Sequence, residues 1–164
     1  ALPKLSQYIK EKNIENGVVI GPDAGSVKKA EKLAASLHLP LGVMYKRRPA
    51  PNVAEMSFFI GEVKDKTSII IDDMIDTGGS LEQVITALEE RGARDIYILA
   101  THGVFSPPAL ERLNRPSIKE VVVCNTLPLS EEAHPKLKVL SVASLLGDTI
   151  QRIHQNISVS ELFE

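Results

Sequence analysis

Ser68-Ile69-Ile70-Ile71-Asp72-Asp73-Met74-Ile75-Asp76-Thr77-Gly78-Gly79-Ser80 begins as an apolar run, meets two carboxylates, and then enters a turn rich in glycine and hydroxyls. The run is rich in β-branched residues and carries no polar alternation, the pattern of a strand buried on both faces. Leu81, Val84, Ile85 and Leu88 follow at helical spacing, so a helix is expected from about Leu81. Strand, short turn and helix make half of a βαβ unit. Such units demand a parallel sheet covered on both faces.

The same grammar extends in both directions. Val18-Val19-Ile20, Leu41 to Tyr45, Ile96 to Ala100, Val121-Val122-Val123 and Lys138 to Val142 are further short apolar runs. Between them lie helical stripes: Val27, Ala30, Leu33, Ala34 and Leu37, then Leu145, Leu146, Ile150 and Ile153. Leu2, Leu5 and Ile9 suggest a helix before the first strand. One segment breaks the alternation. Lys46-Arg47-Arg48-Pro49-Ala50-Pro51-Asn52 reads as a basic loop, and Met56 to Ile60 as an extra strand hairpinned onto the next. Right-handed crossovers restrict such a chain to doubly wound topologies. The expectation is a three-layer α/β/α domain with a mostly parallel sheet of about five strands, and a length of 164 residues suits one domain spanning 1–164.

Composition narrows the function classes. Lys plus Arg number 19 against 21 Asp plus Glu, a near balance that excludes a polybasic nucleic-acid coat and an acidic disordered tail. Trp is absent and aromatics make up 4%, so the core has to be built from Val, Ile, Leu and Ala. The one cysteine, Cys124, excludes an internal disulfide and a multi-Cys zinc site, and a reducing cytoplasmic setting fits best. No apolar run approaches the roughly 20 residues of a membrane span. Ala1-Leu2-Pro3-Lys4 is not a secretory signal, and the missing initiator Met suits a processed chain or a fragment.

The turn at Thr77 to Ser80 carries the most chemistry. In a parallel sheet it lies at the carboxyl end of a strand, where ligands bind. The new helix offers unpaired N–H groups and the positive end of its dipole. Glycines let a phosphate come close to the backbone, and Thr77 and Ser80 add hydroxyls. Asp72 and Asp73 can accept hydrogen bonds from paired hydroxyls, as in a ribose diol, or share a hydrated magnesium ion. A phosphate cradle beside a diol clamp describes a sugar phosphate. The bland alternative is an ordinary strand–helix turn capped by Thr and Ser. It is not a Walker loop, because no Lys follows the glycines. Asp23, after the Val18–Ile20 run, suits a metal ligand or a helix cap equally. Lys46 and Arg48 suit a solvated basic loop or one that closes over a polyphosphate. His102 is as compatible with a structural histidine as with a functional one.

Asp72 to Ser80 resembles the phosphoribosyl-diphosphate motif of the phosphoribosyltransferase fold. Gly21-Pro22-Asp23-Ala24-Gly25-Ser26, Lys46-Arg47-Arg48-Pro49, Pro51-Asn52-Val53-Ala54-Glu55, Thr101-His102-Gly103-Val104-Phe105-Ser106 and Ser158-Val159-Ser160-Glu161-Leu162-Phe163 are similar to stretches of the ribose-phosphate pyrophosphokinases. The resemblance runs along the whole chain but covers only the C-terminal half of those enzymes. It departs where the motif near Asp23 usually has two glycines and this chain has Gly25-Ser26.

The resemblance implies magnesium-dependent diphosphoryl transfer from ATP to ribose 5-phosphate, giving AMP and phosphoribosyl diphosphate. Lys46 and Arg48 would be catalytic, contacting ATP phosphates from a mobile loop. Asp72, Asp73, Asp76, Thr77, Gly78, Gly79 and Ser80 would bind ribose 5-phosphate, and Asp23 would contribute to the magnesium site. Ser158 and Ser160 would line a regulatory site for phosphate or ADP between subunits of a homo-oligomeric parent. The adenine pocket would come from the absent N-terminal half, so this chain alone is expected to be inactive. Two other readings are a non-catalytic regulatory homologue that binds ribose phosphate and a true phosphoribosyltransferase. The second needs a base-recognition hood, for which no segment is found.

Overall fold

The computed structural model describes residues 1–47, 56–129 and 134–162, with the side chains of 46, 47 and 56–58 not described. Helix α1 (Leu2–Lys10) precedes strand β1 (Gly17–Gly21), followed by α2 (Val27–Leu37) and β2 (Leu41–Arg47). Then come β3 (Met56–Ile60), β4 (Thr67–Ile75), α3 (Gly79–Glu90), β5 (Asp95–Gly103), α4 (Ala109–Arg112), β6 (Ile118–Cys124), β7 (Leu137–Leu140) and α5 (Ala143–His154). A 3-10 turn at Ser160–Leu162 ends the described chain.

The strands form one sheet of order β3-β2-β1-β4-β5-β6-β7, parallel except where β3 runs antiparallel along β2. Seven strands, against the five or so expected, correct the strand count. Both outermost runs join the ladder, β3 antiparallel to β2, the strand before it, instead of hairpinned onto the next strand, β4, and β7 as a short edge beside β6. Alternation along each strand divides the core in two. Val18, Ile20, Ile70, Ile96, Ile98 and Val121 pack against Leu81, Val84, Ile85 and Leu88 of α3. Val19, Ile69, Ile71, Leu99 and Val122 pack against Leu5 and Ile9 of α1 and Ala30, Leu33 and Ala34 of α2. The expected three-layer architecture is thus present, built almost wholly from aliphatic residues. Cys124 is buried in the second cluster, as a core residue.

Two stripes predicted at helical spacing behave differently. The α3 stripe is fully buried, whereas α5 buries no residue and exposes Leu146, Ile150 and Ile153 at 57–67%. Periodicity identifies an apolar face but not what lies against it. Among the described residues, no helix is long and apolar enough to cross a membrane.

Candidate functional site

β4 is the central element. Its strand geometry continues through Asp72, Asp73 and Met74 instead of ending at Ile71, because the β5 ladder extends to the same level: Asp72 lies beside Ala100, Met74 beside His102 and Ile75 beside Gly103. The Ile75 carbonyl then accepts from the N–H groups of both Val104 and Phe105, at 2.9 and 3.1 Å. The carboxylates are therefore mounted on a rigid strand end, which a functional site requires.

Asp72 and Asp73 follow one another on β4, and their carboxyl groups interact directly. Asp72 is half-buried and Asp73 exposed. Burial pushes the Asp72 carboxyl up to about 6, with the charges of Asp73 and Asp23 adding to the rise; the Asp73 N–H, donating to Asp72 Oδ1 at 2.8 Å, opposes it. Hydrogen bonding with the Asp72 side chain, helped by the charge of Lys29 on α2, holds Asp73 below the ordinary carboxylate value. Asp23 reaches this group through the sheet. β1 lies beside β4 with Ile20 level with Ile70, so Asp23, two residues past the end of β1, comes close to the Asp72–Asp73 stretch of β4. These oxygen donors fit a hard divalent cation. Among the described residues, no three or more acidic, His or Cys side chains form a closed metal cluster. Oxygen donors of this kind suit magnesium, which keeps several waters and takes one or two carboxylates plus substrate phosphates.

Helix α3 begins two residues earlier than its apolar stripe suggests. Its N-cap is Gly78, at φ 74°, a left-handed conformation that side-chain-bearing residues resist. No side chain caps the helix, and its first closing bond runs from Glu82 N–H to the Gly78 carbonyl at 2.9 Å. The picture of a turn capped by Thr and Ser is thereby excluded. The helix start keeps its dipole and N–H groups for an anion. Thr77, Gly79 and Ser80 line a groove of about 920 Å³ that continues along α3 past Arg112 and Arg115. Asp76 is exposed between the strand end and the turn.

The β1–α2 turn is built oppositely. Ser26 N–H donates to Asp23 Oδ1 at 2.8 Å, Ser26 Oγ donates to the Asp23 carbonyl at 2.8 Å, and Asp23 N–H donates to Ser26 Oγ at 3.1 Å. Ser26 is buried. The departure from a double glycine therefore supplies a fastening for Asp23.

The other sequence candidates are placed as follows. Lys46 lies on β2 near its carboxyl end, two strands from β4, its side chain not described; Arg48 lies outside the described residues. His102 is fastened: Thr126 Oγ donates to the Thr101 carbonyl at 3.2 Å, so at 2.8 Å it accepts from His102 Nδ1–H. Ser158 and Ser160 follow α5, beyond edge strand β7, and are not brought to the β4 turn by the sheet order. Their hydroxyls are 2.7 Å apart, and Arg152 donates to the Ser158 carbonyl at 2.7 Å and pairs with Glu161 at 2.8 Å. Arg112 was not legible as a site residue. It comes from α4, 35 residues beyond Thr77, and donates to the Thr77 carbonyl at 2.9 Å. No local pattern distinguishes it in the sequence.

Comparison with known proteins bears on the fold and the family. The model of the phosphoribosyl synthetase-associated domain matches residues 46–164. A ribose-phosphate pyrophosphokinase of Clostridium tetani is 47% identical over 167 residues, covering 99% of this chain and 52% of its own. The crystal structure of a phosphoribosylpyrophosphate synthetase from Mycobacterium smegmatis superposes with a TM-score of 0.86 at 43% identity, over 95% of this chain and 51% of that one. A purine phosphoribosyltransferase from Pyrococcus horikoshii, 23% identical with a TM-score of 0.55 over 85% of this chain and 83% of its own, shares the fold. The chain spans about half the length of the curated relatives it matches.

Proposed function

The chain belongs to the phosphoribosyl synthetase-associated domain family, and from that premise we propose that it is the C-terminal, ribose-phosphate-binding half of a ribose-phosphate pyrophosphokinase. The observation that carries this is the uncapped α3 terminus at Gly78, directly after a strand that presents Asp72 and Asp73. The N–H groups and hydroxyls of Thr77 to Ser80 hold the 5-phosphate, and Asp72, Asp73 and Asp76 orient the ribose hydroxyls. The anomeric hydroxyl of ribose 5-phosphate attacks the β-phosphorus of ATP in line; the bond from that phosphorus to the α–β bridging oxygen breaks, AMP leaves, and the proton of the attacking hydroxyl is released to solvent. Lys46 and Arg48 offset charge on the phosphoryl oxygens, Lys as a point charge and Arg as a fork. Magnesium, held through Asp23 and the β4 carboxylates, supplies charge neutralisation when bound. Positioning and electrostatics account for catalysis of this kind, with little covalent work for the protein.

The proposal extends to a homo-oligomeric parent working in a reducing cytoplasm, where the buried lone thiol of Cys124 is at ease. It also includes an effector site for phosphate or ADP at Ser158 and Ser160, supported by their paired hydroxyls beside Arg152. The test separates the two halves of the chemistry. The full-length product should form AMP from ATP only with ribose 5-phosphate and a divalent cation, and should not join phosphoribosyl diphosphate to nucleobases. The 164-residue chain should bind ribose 5-phosphate and form no AMP. Normal turnover by the isolated chain, or base transfer by the parent, overturns the proposal.

A further inference from the structure

We propose that Arg112 is the positioning residue of the phosphate turn, setting the turn's geometry from behind and masking the charge of Glu82 at its mouth. This rests on the assignment of Thr77 to Ser80 as a phosphate cradle. The guanidinium is shared between the turn and the helix. Nη1 donates to the Thr77 carbonyl at 2.9 Å, while Nε pairs with Glu82 Oε2 at 3.0 Å. A Cβ built on Gly79 would stand 3.3 Å from Arg112 Nη1, so the guanidinium lies flush against the backbone of the cradle. The fork thus ties the residue before the left-handed Gly78 to the first turn of α3, which no side chain caps.

The network behind it is continuous. Glu82 also faces Arg115 at 3.6 Å, and Arg115 is anchored by Glu89 at 2.7 Å and by the Thr86 hydroxyl at 3.0 Å. The segment between β5 and β6 is bolted along α3 as far as the turn. The electrostatic side follows from position. Glu82 is the acidic residue in the first turn of α3. Its charge favours the helix dipole but opposes a phosphate docking on the same terminus. Arg112 neutralises that opposition while supporting the turn, and a guanidinium suits both tasks because its donors are fixed in a planar fork.

Removing the fork should therefore lower affinity for a phosphate in two separable ways. Calorimetric titration of the chain with ribose 5-phosphate, ribose and inorganic phosphate tests this, with circular dichroism confirming the fold of every variant. Arg112→Ala should weaken ribose 5-phosphate binding about 30-fold, the scale on which small displacements of a positioned group act. Arg112→Lys keeps the charge opposite Glu82 but loses the fork, and should weaken it about fivefold. Adding Glu82→Gln to Arg112→Ala should recover a substantial part of the loss, because the unmasked charge is removed; a purely structural role would not yield this rescue. Lack of binding by the unaltered chain to both ribose 5-phosphate and inorganic phosphate refutes the cradle itself. Binding by the unaltered chain together with equal affinity in folded Arg112→Ala and Arg112→Lys overturns the role of Arg112. A loss that Glu82→Gln fails to relieve overturns the masking of charge.

Discussion

Two strand-to-helix turns sit side by side at the carboxyl ends of β1 and β4, and they are built on opposite plans. The β1–α2 turn is closed by its own side chains: Asp23 and Ser26 exchange three hydrogen bonds. The β4–α3 turn is capped by a glycine, has no side-chain cap, and receives a hydrogen bond from Arg112 on its Thr77 carbonyl. In the first, side chains satisfy the backbone and fix a carboxylate. In the second, the helix terminus keeps its positive end for an anion. Under the proposed function, neighbouring turns of one fold are divided between holding a cation ligand and holding a phosphate.

The largest effect should come from breaking the open turn. Gly78→Val forces a β-branched residue to φ 74° and should cost about 1–3 kcal/mol of stability. It should also abolish ribose 5-phosphate binding, because the first N–H groups of α3 lose their direction. Urea denaturation and titration calorimetry read the two effects. If Gly78→Val binds normally, the left-handed cap is not what holds the turn open.

The second break is at the strand end that feeds the turn. Asp72 titrates near 6 because burial disfavours its charge, against an ordinary value of 3.8. Between those two values the native state holds more protons than the unfolded state, so this group makes stability fall as pH rises from about 4 to 6 and leaves it constant above. The full shift would correspond to about 3 kcal/mol, and partial exposure reduces this to about 1–2 kcal/mol. Asp72→Asn should therefore be more stable than the parent at pH 7 by about that amount. The advantage should vanish below pH 4, while ribose 5-phosphate binding is lost. Denaturation curves across pH 3.5–8 check the slope. A variant that loses stability at pH 7 would show the carboxylate to be structurally favourable.

Much of this was legible from pattern, and the exceptions have physical causes. Val, Ile and Leu runs located each strand of the central sheet, and the stripe Leu81, Val84, Ile85, Leu88 located α3, because aliphatic burial sets both periods. The extent of β4 was not legible. Asp is a poor strand residue, and only the non-local ladder with β5 carries the backbone past Ile71. The unequal burial of the adjacent Asp72 and Asp73 was likewise not legible, since it depends on the packing around that extension. Arg112 was invisible because its contact closes over 35 residues. The α5 stripe was legible as a pattern, and yet it is exposed, since a sequence period says nothing about the surface opposite.

The closed turn offers a smaller effect. Ser26→Ala removes two of the three hydrogen bonds with Asp23, those made by Ser26 Oγ, and leaves the bond from its own N–H. The expected loss is about 1 kcal/mol by urea denaturation, with ribose 5-phosphate affinity unchanged and the divalent-cation requirement shifted to higher concentration. If phosphate affinity falls as well, the two turns are not independent.

The smallest effect sharpens the same comparison one layer down. Ser68 is fully buried on β4, and its Oγ has no hydrogen-bond partner, whereas the buried Ser26 Oγ both donates and accepts. By alternation Ser68 faces the α3 layer with Ile70, among aliphatic side chains. A buried hydroxyl without a partner forfeits its hydration and gains nothing in return. Replacing it with Ala removes one polar atom and leaves a gap too small for water, so the cavity penalty is slight. Ser68→Ala should therefore be neutral to about 1 kcal/mol stabilising, the reverse of Ser26→Ala, although both change a buried serine in the same way. Thermal and urea denaturation of the two variants side by side decides it. A destabilisation of Ser68→Ala equal to that of Ser26→Ala would mean that the Ser68 hydroxyl is engaged after all, through a buried water.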